Sequence, residues 1–303
     1  MLELAVLGSG SSGNSAVVRS GSTRVLVDAG LSARQLCLRL AAVGIDPDSL
    51  DAIIVTHEHG DHVQGLEVFC KTRPLPVYGT LHTCALLREK SRAPISWRPF
   101  EAGNAFRIGD IEIESFSVPH DAVDPVGYLF YNEVCRIGLL SDVGHVTRPI
   151  IDRLAGVHTL FTESNYDEVM LQNDTVRPWA TKQRIANRHG HLSNEQAAAL
   201  VAAVASPSLH RVVLGHLSSD CNTAELACSV VEARLRASGY EGVRVECAGR
   251  REPLPLAPGA PRAAESAAES VPMKSLRVRE DGAQAEVKVP DSTNDCTQME
   301  WAF

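Results

Sequence analysis

The sequence predicts a mixed α/β fold (α+β in arrangement), in which two packed β-sheets are flanked by helices and a non-globular tail follows. Three observations carry this. Short apolar runs broken by Gly and Ser turns dominate the first half of the chain. Segments with helical spacing alternate with strands in the second half. Near residue 252 the composition shifts to Pro, Ala, Ser and Glu with little apolar periodicity. The 303 residues therefore divide into a catalytic-sized domain, 1–251, and a low-complexity tail, 252–303, expected to be disordered because it buries too little to offset its ordering entropy.

The elements follow in order. Strands are expected at Leu4 to Gly8, Ala16 to Arg19 and Arg24 to Asp28, then a helix from Ser32 to Val43. Ala52 to Thr56 (AIIVT) reads as a buried strand, and Asp61 to Arg73 and Leu81 to Lys90 as helices. Ile111 to Val118 alternates strictly, and Gly127 to Tyr131 and Arg136 to Ser141 continue the strands. Leu160 to Glu163 and Arg211 to Gly215 are strands set among helices at Trp179 to Arg188, Ser193 to Val204 and Thr223 to Ala237. Gly8 to Gly13 spells G-x-G-x-x-G, yet strand, turn and strand follow it where a dinucleotide site needs a helix. A flexible turn is the expected role.

The net charge of −8 and pI near 5.8 exclude a protein that coats nucleic acid through bulk charge, though not a local positive site. Eight cysteines without a C-x-x-C pair indicate free thiols in a reducing compartment. The start of the chain has no basic leader and no run approaches 18 apolar residues, so a cytoplasmic protein without a membrane span is expected.

The chemistry concentrates at Thr56-His57-Glu58-His59-Gly60-Asp61-His62, directly after the AIIVT strand. In extended backbone, residues i and i+2 project the same way, so His57 and His59 face one metal ion. The chain then turns at Gly60, and Asp61 and His62 open a helix facing the same pocket, where they serve a second ion. Three histidines and one aspartate within six residues at a strand end are not core packing. His120, Asp142 and His216 each end a later apolar run at a loop, a rigid support that suits further ligands. Asp28 ends a strand in the same manner and suits a carboxylate that takes the free ring N–H of a ligating histidine.

The T-H-x-H-x-D-H run, with His120, Asp142 and His216 in order, resembles the metallo-β-lactamase superfamily over residues 1 to 250. The resemblance implies an αββα sandwich with a dinuclear site. It implies His57, His59 and His120 on one ion, Asp61, His62 and His216 on the other, and Asp142 bridging both. Within the superfamily, Gly127-Tyr128, Phe161-Thr162-Glu163-Ser164 and His191-Leu192-Ser193-Asn194-Glu195 are similar to the phosphodiesterase branch. The Gly/Ser run near the start, Lys182-Gln183-Arg184-Ile185 and Gly215-His216-Leu217-Ser218 resemble the YycJ/WalJ exonuclease group.

That resemblance implies a 5′→3′ DNA exonuclease acting through a metal-bridging hydroxide. Asp61 would contact the attacking group, and His191, oriented by Glu163, would protonate the leaving oxygen. Zinc is the first expectation for the two divalent ions, with manganese the second. The expected partner is nucleic acid, DNA before RNA, contacted by Lys182, Arg184, Arg188 and His145. Oligomeric state is open, a homodimer included. Two rival readings share the ligands: a small-molecule thioester or lactone hydrolase, and a metal-binding regulatory module without catalysis. The hydrolase has no reason to carry a Glu163/His191 pair, and the complete ligand set argues against the module.

Overall fold

Strand β1 (Leu2–Gly8) shows how the chain divides its apolar residues. Leu4 and Val6 pack with Val18, Ile54, Ile113 and Tyr128, whereas Ala5 and Leu7 pack with Leu36, Leu40 and Phe69. A strand covered on both faces reads as a continuous apolar run, and its alternate residues feed two different cores.

The computed structural model describes residues 1–260. The first half comprises β1, β2 (Ser15–Ser20), β3 (Thr23–Val27), α1 (Ala33–Ala42), β4 (Ala52–Ile54), α2 (Gly60–Val63), α3 (Leu66–Thr72), β5 (Pro76–Thr80), α4 (Leu81–Lys90) and β6 (Ser96–Phe100). The second comprises β7 (Ala105–Ile108), β8 (Ile111–Ser117), β9 (Val126–Tyr131), β10 (Arg136–Leu140), α5 (Arg148–Leu154), β11 (Thr159–Glu163), α6 (Glu168–Asn173), α7 (Trp179–Ala186), α8 (Asn194–Val204), β12 (Arg211–Gly215), α9 (Ala224–Ala237), β13 (Arg244–Cys247) and β14 (Leu254–Pro258). They form two seven-stranded sheets, in the orders β14-β1-β2-β3-β4-β5-β6 and β13-β12-β11-β10-β9-β8-β7. The core between the sheets holds Leu4, Val27, Ile113, Tyr128 and Phe130. Leu36, Leu40 and Phe69 of α1 and α3 cover one outer face, and Leu154, Val201 and Val231 of α5, α8 and α9 cover the other. The layers are thus helix, sheet, sheet, helix, and the expected α/β sandwich is the observed one.

Both sheets combine antiparallel and parallel pairings. β3, β4, β5 and β6 run parallel, as do β10, β11, β12 and β13. Ligands in such sheets gather beyond the carboxyl ends of parallel strands. Asp28, Thr56, Asp142 and His216 follow the ends of β3, β4, β10 and β12, and Glu163 closes β11.

Three expectations need correction. The helix expected over Asp61 to Arg73 is two, because it breaks at Gly65. A Cβ there would lie 1.9 Å from the Leu31 carbonyl oxygen, and the Gly65 N–H is spent on Ala29. The tail boundary at 252 falls too early, since β14 pairs antiparallel with β1 and completes the first sheet. Residues 261–303, the remainder of the expected tail, lie outside the described residues. Finally, the strands β5, β6, β7 and β13 and the helices α5 and α6 were not expected; β5 and β6 carry prolines and β6 has no fully buried residue, so neither of these two shows a clean apolar period. Among the described residues no helix is long and apolar enough to cross a membrane, and all seven described cysteines are free.

The two sheets are tied behind the site. The Tyr128 hydroxyl, fully buried in β9, donates to the Val55 carbonyl at 2.6 Å, just beyond β4. Tyr128→Phe removes that donor and leaves a buried carbonyl short of a partner. Urea unfolding is expected to show a loss of about 1–2 kcal/mol. Wild-type stability would mean that the tie contributes nothing.

Candidate metal centre

Three residues at strand ends have left-handed backbone: Asp28 (φ 58°), Asp142 (φ 56°) and His216 (φ 53°). Among the described residues they are the only non-glycine positions with positive φ. Asp and His tolerate this region better than most residues, but it still costs of the order of 1 kcal/mol each. The turn swings each side chain off its strand and into the space between the sheet ends.

The residues singled out from the sequence converge there. His57, His59 and His120 each offer a ring nitrogen within 4.8 Å of the others, and so do the ligand atoms of Asp61, His62 and His216. Asp142 belongs with His57 and His62 in one set, and with Glu163, His191 and His216 in another. Its Oδ2 is 3.0 Å from His62 Nε2, and its Oδ1 is 3.4 Å from His216 Nε2 and 4.0 Å from His120 Nε2. This carboxylate therefore lies between the two groups.

The donor set fits divalent cations. His57 is buried, and its Nε2 has no hydrogen-bond partner. Burial, reinforced by the neighbouring His62, pushes its pKa well below the ordinary imidazole value, so it offers a lone pair. His120 Nδ1 lies 3.1 Å from the Gly190 carbonyl, which can only accept, so Nε2 is left as the donor to a metal. His59 Nδ1 is 3.4 Å from that Nε2. Asp28 lies beside His62: Oδ2 is 2.7 Å from His62 Nδ1, and the Thr56 N–H and hydroxyl hold the carboxylate at 2.8 Å each. Burial works against charging His62, yet Asp142 and Asp28 outweigh it and raise its pKa well above the usual value. A cation at Nε2 would replace that proton.

Next to this set, Glu163 is fully buried and saturated. Its Oε1 accepts the backbone N–H groups of Val143 and Leu192, at 2.6 and 3.2 Å. Its Oε2 lies 2.9 Å from His191 Nδ1, which leaves His191 Nε2 free. Burial opposes the charged form of His191, but Glu163 prevails and the pKa is raised to about 9. His191 lies in the cleft beside Asp61, His59 and His216.

The cleft has a volume of about 230 Å³, with Ser11 on one side and Thr181, Arg184 and Ile185 of α7 on the other. The four expected substrate contacts separate. Arg184 lines the cleft and pairs with Asp121 at 3.0 Å. Arg188 borders an adjoining hollow and meets His145, 3.1 Å from guanidinium to ring nitrogen. Lys182 does not line the cleft, because its ammonium donates to the Gln172 carbonyl at 2.8 Å. Sequence reasoning missed Ser9, Asn14 and Asn165, all buried against the ligand candidates. Their one signal is a set of amide and hydroxyl side chains in loops that the fold buries.

A family profile described as "Beta-lactamase superfamily domain" matches residues 23–217. The chain is 36% identical over 241 residues to "Exodeoxyribonuclease YycJ" of Bacillus anthracis, covering 79% of this chain and 91% of that protein. It is 37% identical over 230 residues to "Exodeoxyribonuclease WalJ" of Streptococcus pneumoniae serotype 2, covering 73% and 84%. Among solved structures, the metallo-β-lactamase fold protein YhfI of Bacillus subtilis superposes with a TM-score of 0.64 at 16% identity, covering 83% of this chain and 98% of that one. Fold, matched span and the two relatives agree: the chain belongs to the metallo-β-lactamase superfamily.

Proposed function

We propose that the protein is a two-metal phosphodiester hydrolase acting on nucleic acid, with DNA as substrate and 5′→3′ exonucleolytic removal as its mode. The observation that carries this reading is the Glu163–His191 pair, 2.9 Å apart and directed into the cleft of the candidate metal centre. A thioester expels a thiolate, a far weaker base, and has less need for a proton donor. A phosphodiester expels an alkoxide that needs one. The relatives named exodeoxyribonucleases support DNA over RNA.

His57, His59 and His120 would hold one ion, Asp61, His62 and His216 the second, with Asp142 shared. Two divalent cations there, zinc before manganese, supply Lewis-acid polarisation of a phosphoryl oxygen and a lowered pKa for the attacking water. The chain's own groups do the rest. Asp61, partly buried where it lines the cleft, accepts a hydrogen bond from the attacking water and orients it. His191 donates its Nε2 proton to the leaving oxygen, and Glu163 fixes the ring by holding Nδ1. Arg184 exchanges Asp121 for a substrate phosphate.

The acidic chain also keeps a basic rim. Residues 175–194 contain four Arg or Lys and no Asp or Glu. Trp179, at the start of α7, is 68% exposed and available to stack on a base, while Tyr166 is buried in the core. Cytoplasmic action accords with free thiols and a DNA substrate.

Three experiments test this. Purified protein, stripped with a chelator, is expected to lose hydrolysis of end-labelled DNA and to regain it with zinc or manganese, while Asp61→Ala stays inactive. Faster turnover of a thioester than of a nitrophenyl phosphodiester by the wild type would overturn the nuclease reading. His191→Ala is expected to lower kcat about 10²–10⁴-fold with metal content unchanged. Loss of metal in that variant, by elemental analysis, would make His191 a ligand instead.

A further inference from the structure

The Gly/Ser run that imitates a nucleotide motif is the turn between β1 and β2. It contains two polar side chains that nothing above employs. Ser9 is 2% exposed and Asn14 is 6% exposed. The Gly10 N–H donates to Asn14 Oδ1 at 2.8 Å, and the Ser9 hydroxyl donates to the same oxygen at 3.1 Å. A backbone N–H can only donate, so the amide oxygen must face it and Nδ2 must face away. On that far side Nδ2 donates to Asp61 Oδ2 at 3.1 Å and lies 3.1 Å from His62 Nε2. Ser9 Oγ, its one hydrogen given to Asn14, accepts the His216 N–H at 2.7 Å.

These two side chains therefore touch Asp61, His62 and His216, the whole of one ligand group. His57 and His120 rest on other supports, the Thr56 hydroxyl and the Gly190 carbonyl. The turn reaches the site only because of its glycines. Gly13 has φ +148°, and a Cβ there would lie 2.4 Å from the Gly30 carbonyl oxygen. The contact is locked by backbone, with Asn14 N–H donating to Asp61 O at 2.7 Å and Gly30 N–H to Asn14 O at 2.9 Å.

We infer that Ser9 and Asn14 are positioning residues for the second ion, which fix Asp61 and His216 and set its affinity separately from that of the first. The inference rests on the two-ion reading above. Outer hydrogen-bond partners of metal ligands typically change affinity about 10–100-fold when removed.

The test titrates metal-free protein with cobalt(II), followed by its visible absorption, and measures zinc content by elemental analysis. Wild type is expected to bind two ions. Asn14→Ala and Ser9→Ala are each expected to weaken one ion about 10–100-fold, leaving the other ion and the far-UV circular dichroism unchanged. The double variant should lose little more than either single one, because the two residues act in one chain of hydrogen bonds. Ser9→Ala removes a single oxygen and carries the test should Asn14→Ala fail to fold. Two ions bound with wild-type affinity in the variants, or equal weakening of both, would overturn the inference. A single ion in the wild type would overturn the two-ion reading along with it. Neither readout involves DNA, so failure of the nuclease assignment leaves this result standing.

Discussion

Burial alone would drive a carboxylate that is 2% exposed toward its neutral form. Asp142 does the opposite. Desolvation raises its pKa, but His216 and His62 outweigh that cost and hold it well below the ordinary carboxylate value. A buried charge of this kind persists only if it is surrounded by partners. The packing around it therefore gathers loops from several elements: His120 follows β8, Asp142 follows β10, His191 precedes α8 and His216 follows β12. Without the shared carboxylate, the imidazoles of the two groups would face one another with nothing between them.

The backbone is strained to achieve this. Three left-handed residues sit where β3, β10 and β12 give way to loops, and each belongs to the candidate centre. Their strain is tolerable because hydrogen bonds over-determine each position. Asp28 is held by Thr56 and His62, Asp142 by Ser141 and His62, and His216 by Ser9 and Asn165. The same rigidity positions Glu163. It spends three hydrogen bonds on Val143, Leu192 and His191 and can rotate for none of them. A ring held this way keeps one orientation in the cleft.

Charge is arranged at a second scale. The chain as a whole is acidic, yet the segment leading into His191 is wholly basic or neutral, and it forms one wall of the cleft. Arg184 is paired with Asp121 at that wall, so its charge is already compensated there.

Much of this is legible in residue order alone. The layered α/β class follows from strand and helix periods, because those periods are local. The metal cluster is legible because His57, His59, Asp61 and His62 lie within one turn of chain, and because strand ends announce His120, Asp142 and His216 through the loops after them. Short or proline-bearing elements such as β6 escape, since their stability comes from neighbours in the sheet and not from their own spacing. Lys182 shows the converse: it shares a short helix with Arg184, but its long side chain donates to a carbonyl ten residues back. Ser9 and Asn14 were hidden for a similar reason, being ordinary turn residues until β12 and α2 arrive from more than forty positions away to use their hydrogen bonds. Local sequence carries the ligand chemistry, and long-range packing chooses which polar atoms meet it, because a hydrogen bond has a direction that no one-dimensional spacing encodes.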